Sequence, residues 1–157
     1  MPESDDPTRS QYRLVIAGLL LLANLGIGLN LFASSPILPL IIKDYGISQA
    51  TAGLFVALSL LIASVLGLPG GVILARLGVK RALTAGYWLL ALVALTALAP
   101  NFVTLLIMRL AFGLGIAFIF IATGPVLMRW FQPKEVFIIN GLNQAGFSLG
   151  IATSIFT

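Results

Sequence analysis

The stretch GGVILARLGVKRAL, residues 70–83, sets two adjacent glycines before an aliphatic run and then gathers three cations, Arg76, Lys80 and Arg81, with no acid among them. On either side the chain is almost uniformly oily. Of its 157 residues 59% are hydrophobic and 9% charged, and the mean hydropathy is +1.08. A soluble domain carries about 25% charged residues, so this composition belongs in a bilayer. The cluster is then a polar loop between two apolar segments, and the fold follows from how many such segments flank it.

Charges cut the chain into neutral runs: Leu14 to Ile42, Tyr45 to Ala75, Ala82 to Met108, Leu110 to Met128 and Val136 to Thr157. A helix needs about 20 apolar residues to cross a hydrocarbon core about 30 Å thick, so the first two runs and the last read as one span each. Between Arg81 and Arg129 the only charge is Arg109, and one helix of that length would reach about 70 Å. The chain must turn back once there. Ala99-Pro100-Asn101 is the turn signal, because proline breaks the hydrogen-bond ladder and asparagine favours turns. The reading is all-α: a tail over 1–13, then five helices over 14–42, 49–74, 81–99, 102–128 and 136–157.

Cations at the helix ends orient the bundle. With the amino terminus in the cytoplasm, Arg9, Arg13, Arg76, Lys80, Arg81, Arg129 and Lys134 fall inside, and outside there is only Lys43, beside Asp44. That is the positive-inside pattern of a multi-pass protein of the cell membrane. The first span is too long for a signal-peptide core and stays in the protein. There is no His and no Cys, which removes thiolate and imidazole metal sites, Cys or His catalysis and disulfides. No cofactor and no metal is expected. The net charge of +4 is accounted for by the inside loops and points to no nucleic acid.

An internal repeat appears when spans one and two are laid over spans four and five. ASSPIL at 33–38 matches ATGPVL at 122–127; Gly53 follows Pro36, and Gly141 follows Pro125, at nearly equal spacing. An offset of three spans inverts the second unit relative to the first, the architecture of many secondary transporters. A second unit should contain a sixth helix, so the chain reads as a fragment of a larger protein.

At this point the residues resemble the major facilitator superfamily. Its signature between helices two and three is Gly-x-Leu-Ala-Asp-Arg-x-Gly-Arg-Lys-x-x-Leu, against which Gly71, Ile73, Arg76, Gly78, Lys80 and Leu83 fall in register, while Ala75 stands where the signature has aspartate. A second family pattern, an arginine followed by glycines in helix four, is matched by Arg109, Gly113, Gly115 and Ala117. The similarity runs from about residue 12 to 157 and implies most of one six-helix half, with the missing carboxyl-terminal half as its partner. For the opening stretch it implies a gate: Gly71, Arg76, Gly78, Lys80 and Arg81, with glycines letting helix two approach the opposite half. Ala63, Gly67 and Gly71 recur every four residues on one face, as close helix contact in lipid requires. The alternative, a positive-inside anchor with no gating role, stays open. LARLGVKRAL and GLNQAGFSLG carry a fainter similarity to cyanate and nitrate-type anion porters.

Arg109 lies about 12 Å along its helix from Asn101. Placing it in hydrocarbon costs at least about 2.5 kcal/mol, so it should face protein or a watery cavity. No acid lies within the spans beside it, leaving carbonyls, amides, the other half or a substrate anion as its acceptors. Asn24 in helix one, and Asn143 and Gln144 in helix five, join Arg109 as candidate substrate-binding residues, with Asn140, Gln144 and Ser148 sharing one face. Each amide has an alternative use in a helix–helix hydrogen bond, and Gly146 with Gly150 reads as a packing pair. Tyr12, Trp88 and Trp130 read as lipid-facing or interfacial aromatics.

The expected function is secondary transport of a small solute by alternating access, not an enzyme activity. Arg109 points to an organic or inorganic anion, and the absence of an acid in the spans leaves proton coupling to other helices or to another driving force. A non-transporting membrane scaffold or assembly protein is the alternative.

Overall fold

The computed structural model describes the backbone of residues 7–33, 38–98 and 101–156. Within them the chain forms helices and no strand: α1 (Pro7–Phe32), α2 (Leu38–Tyr45), α3 (Gln49–Gly67), α4 (Gly70–Leu77), α5 (Val79–Leu92), a 3₁₀ extension of α5 (Val93–Leu98), α6 (Phe102–Trp130) and α7 (Pro133–Phe156). Among these residues Gln11–Phe32, Val79–Thr96 and Phe102–Trp130 are each long and apolar enough to cross a bilayer, and α3 with α4 adds a fourth crossing if taken as one bent span. The fifth expected span, α7, has 24 residues. Its amides, hydroxyls and the charges at its start keep it short of the same apolar character.

Local chemistry explains where the elements depart from the expected ranges. The second helix does not run through to 74. It breaks at Pro69, with the two segments bent by 74°, because proline has no N–H to give to the preceding turn and its ring crowds the carbonyl there. Pro69 sits at φ −82°, ψ 10°, and the ladder restarts with Ile73 N–H donating to the Pro69 carbonyl at 3.0 Å. The first run is likewise divided: α1 stops at Phe32 and α2 begins at Leu38, with Pro39 tolerated in its first turn. The matched Pro36 and the Ala99-Pro100 turn lie outside the described residues. Asn101 is the N-cap of α6, its side chain accepting from Thr104 N–H at 2.9 Å, as short polar side chains do at helix starts. The last helix begins three residues before Val136, with Pro133 at the first helical position and Glu135 accepting the N–H of Gln132 at 2.8 Å. Proline and a third-position acid are both helix-starting signals.

Helix pairing follows the small residues. Lipid supplies no hydrophobic drive between helices, so they associate where backbones can come close. Gly28 of α1 lies against the backbone of Phe147 and Ile151 in α7, and Gly150 of α7 against that of Leu25 and Leu29 in α1. A methyl group at either glycine would run into main chain. Gly146 meets Leu21 one turn earlier, and Arg13 pairs with Glu135 at the helix starts. These contacts ascend both helices together, so α1 and α7 are parallel. Ser59 of α3 meets Gly113 of α6, and Gly70 meets Ile121, which makes that pair parallel too. Gly86 of α5 packs on Gly115 and Ile119, while Val79 and Leu83 reach Val126 and Leu127, so α5 and α6 are antiparallel. So are α1 and α6, which join Asn30 to Arg109 and Leu20 to Val126.

If α1, α3 with α4, α5, α6 and α7 cross a bilayer in turn, first and fifth must be parallel, as must second and fourth, and neighbours opposed. Each observed pair obeys this. The two parallel pairs are also the ones that the repeat exchanges, since spans one and two correspond to four and five. Ala23, Ile27 and Leu31 of α1 close on Phe112, Ile116 and Ile119 of α6 to form the main core.

Candidate functional site

Arg109 sits on the inner face of α6, one turn before Gly113, and is 7% exposed. Its Nη1 donates to the Asn30 carbonyl at 3.2 Å, and its head lies over the Phe112 ring, 5.7 Å from the centroid. Asn30 is in the last turn of α1, where carbonyls lack intrahelical partners and carry the negative end of the helix dipole. Arg109 therefore caps α1. Its own backbone is held as well, because the buried Ser59 hydroxyl donates to the Arg109 carbonyl at 3.2 Å. One arginine thus ties α1, α3 and α6 together.

The other expected site residues fall in different surroundings. Asn24 is buried in α1 and donates to the Leu20 carbonyl of its own helix at 2.9 Å, the local solution by which a polar side chain survives in an apolar segment. Asn143 is 2% exposed, and both its side-chain oxygen and nitrogen are buried without a hydrogen-bond partner. Gln144, Asn140 and Ser148 are exposed on another face of α7. Burial thus separates Asn143 from Gln144, although they are adjacent in sequence.

The gate candidates cluster at the joint of α4 and α5. Gly78 alone separates these helices, at φ 78°, ψ 150°, a conformation that is essentially glycine's alone. Arg76 ends α4, Lys80 and Arg81 begin α5, and all three side chains are exposed. Gly67 and Gly71 have nothing within 4 Å of where a Cβ would stand. The packed glycine is Gly70, where a Cβ would come within 2.8 Å of Ile121. The Pro69 break places Gly67 on α3 and Gly71 on α4, so the single face expected of Ala63, Gly67 and Gly71 is not formed, and neither glycine makes the expected close contact among the described residues.

Four participants were not singled out from sequence: Asn30, Ser59, Arg13 and Glu135. Ser59 extends the four-residue spacing of Ala63 and Gly67 by one step, a signal that could have been read. Asn30 acts through its carbonyl, which every residue has. Of the aromatics, Tyr12 and Trp88 are exposed, whereas Trp130 packs against the cluster of Leu20, Val126 and Leu127.

The decisive comparison is with protein families: a model described as Major Facilitator Superfamily matches residues 20–156. The chain belongs to the major facilitator superfamily. No curated protein and no solved structure matches it. The match spans α1 from Leu20 through the end of α7, so Arg109, the α4–α5 joint and the polar face of α7 all lie in the shared region. Members of the superfamily are secondary transporters of small molecules in membranes. The helices described here are those of a major facilitator.

Proposed function

We propose that this major facilitator moves a small anion, organic or inorganic, by alternating access, with Arg109 as the charged group of its pathway. The observation that carries the reading is the burial of an intramembrane guanidinium where α1, α3 and α6 meet. An arginine fork gives bidentate geometry suited to carboxylate-like anions. Asn24, Asn143 and Gln144 are proposed as further polar contacts, and the amino terminus and α4–α5 joint are assigned to the cytoplasm of a cell-membrane protein. Gly71, Arg76, Gly78, Lys80 and Arg81 form the proposed gate, the open space at Gly71 receiving a helix from another part of the transporter. Ala75 supplies no carboxylate, so any lock there works through close packing and the cations.

The Asn30 contact favours a second reading, in which Arg109 is a brace that caps α1. A paired measurement on the intact protein separates the two: melting temperature of purified variants, and uptake of small anions by proteoliposomes. For a substrate contact, Arg109→Lys and Arg109→Gln remain folded but lose uptake, glutamine more than lysine. A brace loses stability and uptake together, by about 1–3 kcal/mol for stranding the acceptors. Folded Arg109→Gln protein with unchanged uptake removes the pathway role.

A further inference from the structure

Arg13 and Glu135 are the one ion pair among the described residues, and the transport reading makes no use of them. They stand at the common end of the bundle where α1 and α7 begin and α6 finishes, beside a cavity of about 410 Å³. The cavity is polar at this end and apolar along the helices, lined by Leu14 and Ala17 of α1 and Ile138 and Leu142 of α7. Leu14 is 73%, Ile138 72% and Leu142 52% exposed, so the cavity is a groove open to the outside of the bundle.

We propose that this groove holds an anionic phospholipid, with its phosphate at Arg13 and an acyl chain lying between α1 and α7. Three observations converge. The groove has the layout of an amphiphile, with charge at one end and hydrocarbon along the other. Its flank of α7, with Ile138 and Leu142, is apolar, whereas Asn140, Gln144 and Ser148 are exposed on another face of α7, away from the groove. The charge balance is positive: Glu135 is shared with the N–H of Gln132, and exposed Arg129 and Lys134 stand with Arg13 at the same end. The Arg13 head donates through Nη2 to Glu135 and stacks on Phe131 at 5.1 Å, with its Nε buried beneath. A phosphate accepts hydrogen bonds from a guanidinium, and basic residues at a membrane surface favour anionic lipid.

The test uses the intact protein in nanodiscs of phosphatidylglycerol and phosphatidylcholine with identical acyl chains, and native mass spectrometry after detergent release counts the lipid retained. Phosphatidylglycerol should be retained over phosphatidylcholine, and Arg13→Gln should lower that preference about fivefold, the worth of one basic residue at an anionic surface. Arg13→Lys should keep most of it. Ala17→Phe fills the apolar limb without touching a charge and should reduce retention as well, which keeps the test alive if Arg13→Gln does not fold. Equal retention of the two lipids overturns the proposal. So does full retention in Ala17→Phe, and so does displacement of the lipid by inorganic phosphate, which would mark a site for the ion alone.

Discussion

At the scale of the residue, the outlier is Asn143. A buried amide with neither atom satisfied costs about 1–3 kcal/mol, and leucine has nearly the same branched shape without the polar atoms. Asn143→Leu is expected to raise the melting temperature by the equivalent of about 1–3 kcal/mol while lowering anion uptake in proteoliposomes; unchanged uptake would show that the amide takes no part in the pathway. Sequence reading found this residue by type but not by position, since the helical repeat groups Asn140, Gln144 and Ser148 and leaves Asn143 on another face. Arg109 was legible because a lone charge in an oily run must be accounted for. Its acceptor was not, because the Asn30 carbonyl is main chain and leaves no mark on the sequence.

At the scale of the element, the joint of α4 and α5 separates two kinds of glycine. Gly78→Ala places a Cβ where φ is 78° and should cost about 1–3 kcal/mol in thermal stability. Gly71 is helical with open space around it, so Gly71→Ala should leave the melting temperature unchanged or raise it by up to about 1 kcal/mol in equivalent stability. If Gly71 receives a helix in the proposed gate, the same substitution slows uptake despite the stable fold; normal uptake would sink that role. The broken second helix shows why hydropathy misses such joints. A window sees Pro69 as one acceptable residue in an apolar run, whereas the backbone ladder sees a missing donor, and Gly67 and Gly70 on either side offer no side-chain packing to hold the break straight.

At the scale of the whole molecule, the sense of each helix pair makes topology testable. The chain has no cysteine, and Asp44 and Lys134 are both exposed. With the amino terminus inside, Asp44→Cys should react with an impermeant maleimide on intact cells, and Lys134→Cys only after permeabilisation. The reverse pattern inverts the orientation. The bundle itself was legible in outline because lipid imposes length and apolarity on each crossing, and the repeat already grouped spans one and two with four and five. What it could not give was the partner of each helix, which is set by glycines meeting across the bundle. The parallel union of α1 with α7 carries a consequence for how the protein is made. Ser59 and Arg109, which join α3 to α6, are 50 residues apart, whereas Arg13 and Glu135 are separated by 122. At about 5–20 residues per second a ribosome needs roughly 6–24 s to cover the longer interval. Through that time α1 has no permanent neighbour on its Gly28 side, so the insertion machinery or bulk lipid must shelter it until α7 arrives to complete the pair.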